Sequence, residues 1–152
     1  MREILFRGQT RRYGEKVWMN GEKVPSNWVY GGICCGEGAF SIIYAFMDEE
    51  KEIPIEKHIV YTDTVGQYTG LTDKNGKKIF EGDIVLFEDE SPSNYEYHDC
   101  TEMRCGAIEY GDNCFYITNR IAVEMEDLIY DGKLDVEVIG NIHDNPELLK
   151  GE

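Results

Sequence analysis

A chain of 152 residues with 15 Lys and Arg against 30 Asp and Glu carries a formal charge of −15, which opposes a phosphate backbone and excludes ordinary DNA or RNA binding. Its length allows one or two small domains, and its 41% hydrophobic and 12% aromatic content is enough for a core without disulfides or a structural metal. No apolar run approaches the roughly 20 residues that span a bilayer, and Met1-Arg2-Glu3-Ile4-Leu5-Phe6-Arg7 lacks a secretory apolar region, so the expected compartment is the cytoplasm, with no membrane partner.

Arg2 to Gly8 and Lys16 to Met19 alternate polar with apolar residues, with Gly14 and Asn20-Gly21 as turn signals, which predicts a hairpin or meander. This head is basic. Residues 1–30 hold Arg2, Arg7, Arg11, Arg12, Lys16 and Lys23 against Glu3, Glu15 and Glu22, a local +3 that leaves −18 on the rest. Such a head joins copies head to tail or clamps onto its own body, with Arg11 and Arg12 as candidate contacts; a solvated strand face is the plainer reading. Val24 to Gly38, with Pro25, Gly31-Gly32, Gly36 and Gly38, predicts irregular loops. Ala39 to Glu50 favours a strand over a helix, because Asp48-Glu49-Glu50 would oppose the dipole at a helix C-terminus.

His58 to Thr62 and Val65 to Tyr68 are β-branched and aromatic runs separated by Asp63, with Gly66 a candidate bulge. Asp73-Lys74-Asn75-Gly76 supplies the chemistry of a tight hairpin, and Glu81-Gly82-Asp83 a second reversal in which Asp83 accepts hydrogen bonds. Three apolar runs joined by two reversals predict a meander closing into an SH3-like barrel. Glu88 to Arg104 reads as a polar insertion whose Tyr95 and Tyr97 are candidate exposed contacts. Cys105 to Tyr110, Gly111-Asp112-Asn113 and Cys114 to Thr118 form another hairpin. Val123 to Tyr130 fits a strand leading into a helical turn or a short helix, and Leu134 to Ile142 alternates again. Asn145-Pro146-Glu147 predicts a capped terminal turn that docks Leu148 and Leu149. The expected fold is mainly β: an N-terminal β/loop region over 1–62 and an SH3-like β-barrel over 63–152 with a short C-terminal helical turn.

The five cysteines, Cys34, Cys35, Cys100, Cys105 and Cys114, are an odd number without an export signal, which points to free thiols. Adjacent Cys34 and Cys35 project to opposite strand faces, one of them into the core. His98, Cys100, Cys105 and Cys114 are soft or borderline ligands within seventeen positions, yet they lack the paired C-x2-C knuckles that pre-form a zinc site, so loop and strand cysteines are the better reading. No phosphate loop, H-E-x-x-H pair or nucleophile elbow is present. Pairs such as Glu81 with Asp83 or Glu124 with Glu126 read as solvated carboxylates rather than an acid and base. No catalytic residue and no cofactor are expected.

Three blocks resemble the YopX family of bacteriophage and prophage proteins: Arg2 to Arg7; Gln67 to Gly76 with Ile79 to Val85; and Val138 to Leu149. They lie in the family's order. The resemblance implies a small phage-encoded protein of uncharacterised role, with a homo-oligomer as its expected state, and supplies no catalytic residues. The expected function is that of a non-enzymatic self-associating or protein-binding module. The alternative is an acidic decoy that mimics nucleic acid, which requires the carboxylates of Asp48 to Glu52, Glu88 to Glu90 and Glu124 to Asp127 to line one strip.

Overall fold

The computed structural model describes residues 3–10, 17–19, 22–24, 28–34, 38–45, 56–90, 101–119 and 128–150. The chain divides into two compact units, Met1–Tyr68 and Thr69–Glu152. Among the described residues no helix is long and apolar enough to cross a membrane.

The first unit contains β1 (Phe6–Gln9), β2 (Val17–Met19), β3 (Glu22–Val24), β4 (Trp28–Cys34), β5 (Phe40–Ala45), β6 (Glu56–Tyr61) and the start of β7 (Gly66–Thr72). β2 and β3 form a separate two-stranded antiparallel ribbon, with Met19 opposite Glu22. β1 does not pair with β2, as a simple meander would require. It lies between β4 and the start of β7, both antiparallel to it, and β4, β5 and β6 follow in antiparallel order. The glycine-rich stretch expected to be loop is thus largely a strand. The expectation failed because the stretch pairs on both sides, with β1 and with β5, and the ladders satisfy its backbone whatever its glycine content. At Gly8, in the adjoining β1, a Cβ would sit 2.8 Å from Val60 Cγ2. Gly66, instead of forming a bulge, sits in regular register opposite Arg7.

Strand parity places Ser41 and Ile43 of β5 and Val60 of β6 on one buried face. A 3-10 turn, Thr62–Thr64, leaves β6. Its polar groups are satisfied locally: the Thr64 hydroxyl donates to the Tyr61 carbonyl at 2.7 Å and accepts the Gln9 amide at 2.9 Å, and the Ser41 and Thr62 hydroxyls meet at 2.8 Å.

The second unit continues with β8 (Lys78–Phe80), β9 (Asp83–Glu90), β10 (Thr101–Gly111), β11 (Cys114–Ile117), β12 (Ile129–Tyr130), β13 (Lys133–Leu134) and β14 (Glu137–Asn141). An antiparallel sheet has the order β11-β10-β9-β14. β8 pairs with β7, and β13 joins β7 in parallel with β12 hairpinned onto it. The reversal at Glu81-Gly82 is present, with Gly82 at φ 89° and Asp83 Oδ2 accepting the Phe80 amide at 2.8 Å. It does not make a paired hairpin. β8 and β9 belong to different sheets, so the chain turns a corner there, a device by which one strand run serves two packed layers. Ile79, Val85, Phe87, Ile108, Ile117, Leu128, Leu134 and Val136 form the core. The sheets do not close into a barrel; the fold is mainly β.

Both described ends of the polar stretch Glu88 to Arg104 are strand rather than insertion. β9 runs to Glu90 and β10 begins at Thr101, with Glu90 opposite Thr101 and Glu88 opposite Met103. Strand pairing overrides local polarity here, because the ladder satisfies backbone groups whatever the side chains. At the other end of β10, Asp112 and Asn113, with φ of 49° and 65°, form the two-residue turn into β11. The chain ends in a 3-10 turn, Pro146–Leu149, with none of its residues buried and no cap from the Asn145 side chain. Asn145 Oδ1 instead accepts the Asn141 amide at 3.3 Å, and it fills the space a Cβ on Gly140 would need.

Candidate interaction surface

The first unit's sheet is apolar on both faces. Residues opposite one another in an antiparallel ladder share a face, so register defines the outer one. Cys34, Ile42 and Ile59 form one row across β4, β5 and β6; Gly32, Tyr44 and Lys57 form the next; Phe40 and Tyr61 flank the first row, and Tyr30 extends β4. This face meets solvent: Ile59 is 60% exposed, Phe40 50% and Tyr30 47%. A Cβ on Gly32 would touch nothing within 4 Å, so the middle of the face is flat and open.

Phe40 and Tyr61 lie 5.1 Å apart between ring centroids, within the range of favourable aromatic pairs. Where the same face reaches β1, the Arg7 guanidinium lies 4.5 Å over the Trp28 ring, a cation–π contact. The positions named on this face include Arg7 and Lys57 and no Asp or Glu, in a chain with 30 carboxylates. A half-buried antiparallel strand ordinarily turns polar residues outward. Among its described positions this exposed face is aromatic, flat and without carboxylates, which sets it apart from an ordinary half-buried sheet.

The four contact residues expected from sequence, Arg11, Arg12, Tyr95 and Tyr97, lie outside the described residues, as do His98, Cys100 and Cys35. Cys34, Cys105 and Cys114 are free thiols, with Cys34 and Cys114 exposed. Cys105 and Cys114 are not brought together. Cys114 is opposite Gly111, six positions along β10 from Cys105, or about 20 Å at strand rise, so they cannot share one zinc ion. Among the described residues no group of three or more His, Cys, Asp and Glu could hold a metal. The carboxylates required for a decoy strip diverge at β9: adjacent Glu88 and Asp89 point to opposite faces, and Asp89 is fully buried, 3.6 Å from Arg104 Nε. The acids at 48–50 and 52, and those at 124–127, lie outside the described residues.

Sequence reasoning misses Tyr30, Phe40 and Ile59 because an apolar residue in a strand reads as core until the register that sets its face is known. The available signal was that β5, Phe-Ser-Ile-Ile-Tyr-Ala, is apolar at both parities, the pattern of a strand covered on two sides. A second exposed aromatic pair lies at the β10–β11 hairpin, where Tyr110 and Phe115 meet edge to face at 5.1 Å. Beside it the Tyr116 hydroxyl donates to Glu109 Oε2 at 2.7 Å. That bond, with burial and the charges of Glu109, Asp112 and Cys114, raises the phenol's pKa above its ordinary value.

A family model described as YopX protein matches residues 13–150. Among solved structures, the crystal structure of protein EF1440 from Enterococcus faecalis is similar at 31% identity, covering 72% of this chain and 74% of that one, with a TM-score of 0.41. No curated protein matches.

Proposed function

The chain belongs to the YopX family, matched over residues 13–150, and from that premise we propose that it is a phage- or prophage-encoded, non-enzymatic protein of the bacterial cytoplasm that associates with copies of itself. The observation that carries the reading is the carboxylate-free aromatic face of the first unit, with Ile59 60% exposed. The SH3-like expectation for the second unit is kept in an open form, supported by the change of sheet at Glu81-Gly82 and by the core that the strands share.

A charge of −15 on each copy repels like copies everywhere except where carboxylates are absent, so this face is where two copies approach at least cost. Three strands by three alternate residues cover roughly 300 Å² by strand spacings, well below the approximately 800 Å² per partner of a standard interface. The stacked sheets therefore form a weak, exchanging dimer. Salt strengthens it by screening the net repulsion and favouring apolar burial. A basic head clamped on an acidic body would instead weaken with salt.

Sedimentation across a concentration and salt series tests this. The expected result is dimer that grows with salt, is lost in Ile59→Glu and persists in Arg11→Glu/Arg12→Glu. A monomer at every concentration, or a dimer that dissolves with salt and with the arginine changes, sinks the reading.

A further inference from the structure

The second unit carries an open cavity of about 480 Å³ lined by Lys74, Leu128, Tyr130, Lys133, Leu134 and Asp135, within the usual size of small-ligand sites. Its walls are set by two turns. Asp131 and Gly132, with φ of 50° and 73°, form the two-residue turn of β12 and β13, which places Tyr130 directly opposite Lys133. The Asp73–Gly76 turn presents Lys74, whose amide donates to the Val136 carbonyl at 3.0 Å.

The cavity's chemistry inverts that of the chain. Among the described residues its lining carries two ammonium groups against the single carboxylate of Asp135. Leu134 is fully buried and Leu128 nearly so, while the Tyr130 ring is 83% exposed. The Lys74 ammonium is 3.6 Å from Glu137, with both side chains nearly half exposed; such a pair is weak and exchangeable. An inorganic anion would leave the exposed Tyr130 side chain uncovered, and a neutral apolar molecule would leave both ammonium groups unused. A cation is repelled by both.

We propose that this cavity binds an organic anion with an apolar body: an acyl or aryl carboxylate, either free or carried as an acidic residue beside an aromatic one in a peptide. Its carboxylate lies between Lys74 and Lys133, and its apolar part covers the exposed Tyr130 side chain.

Amide chemical-shift titration of the full chain tests this with three probes: phenylpropionate, its neutral amide, and acetyl-Asp-Phe-amide. The expected result is saturable shifts at Leu128, Tyr130 and Lys133 with the free acid, the peptide or both, and affinity reduced about fivefold or more by Lys133→Gln, a loss of one ionic contact. Binding of the free acid identifies a small-molecule source, and binding of the peptide alone a protein-borne one. The variant's shifts at Ile79 and Phe87 report that the core is intact. If the neutral amide binds as well as the acid, if Lys133→Gln changes nothing, or if neither anion shifts these amides, the proposal is overturned.

Discussion

The Val138 amide donates to Asp73 Oδ2 at 3.1 Å across 65 positions of chain. The other carboxylate oxygen, Oδ1, accepts the amides of Asn75 at 2.9 Å and Lys77 at 2.8 Å. One buried carboxylate thus shapes the β7–β8 turn and pins β14. Asp73→Ala strips the acceptor from three amides, and we expect a loss of about 3 kcal/mol in urea unfolding. Asp73→Asn keeps the shape and one acceptor oxygen, so its loss is expected to be about half that. Equal stability of all three proteins would show that water replaces the carboxylate without cost.

Two glycines predict opposite outcomes. A Cβ on Gly106 would collide with the Thr118 carbonyl oxygen and lie 2.7 Å from Ile117 Cγ2. The backbone cannot yield as a side chain does, so Gly106→Ala is expected to cost about 3 kcal/mol. Gly32→Ala meets open space and restricts the unfolded chain, with an expected gain of about 0.5 kcal/mol. Thermal melts of the two variants, moving in opposite directions, check both.

Asp89 is fully buried beside Arg104 at 3.6 Å, and Arg104 also bonds exposed Glu102 at 3.3 Å. Arg104→Met removes the cation and leaves the buried carboxylate, with an expected cost of about 2 kcal/mol. Combining it with Asp89→Asn is expected to recover part of that loss, giving a coupling energy of about 1 kcal/mol in a double-mutant cycle. Additive losses would show that the two groups act independently.

The raised pKa of Tyr116 comes first from its hydrogen bond to Glu109, then from burial, then from the charges of Glu109, Asp112 and Cys114. Because the folded value lies above the unfolded one, the stabilisation is full below the unfolded pKa and is lost as pH rises through the folded pKa. Phenolate absorbance is expected to show one tyrosine titrating late, and Glu109→Gln to bring it back toward the others. An unchanged titration curve in that variant would refute the assignment.

Much of the second unit was legible locally. The Asp73–Gly76 turn, the Asp83 bond into its own reversal and the Asp112-Asn113 hairpin each depend on residues within a few positions of one another, so side chain and backbone geometry are encoded together. The corner at Glu81-Gly82 was visible as a turn but not as a change of sheet. A turn specifies direction, whereas the partner of the next strand is chosen by distant residues.

The first unit defeated local reading for the same reason. Gly31 and Gly32 look like loop until Phe6 and Tyr44 are seen opposite them, and the aromatic face exists only because three strands align in register. Residue order alone determined the family, the β character, the acidic body and the tight reversals, since composition and short-range sterics suffice for these. Tertiary pairing decided which strands adjoin, which apolar side faces solvent, and that Lys74 meets Tyr130 and Lys133 at one cavity. Those depend on contacts between distant stretches of chain, whose closure entropy is offset only when the whole sheet and core form together.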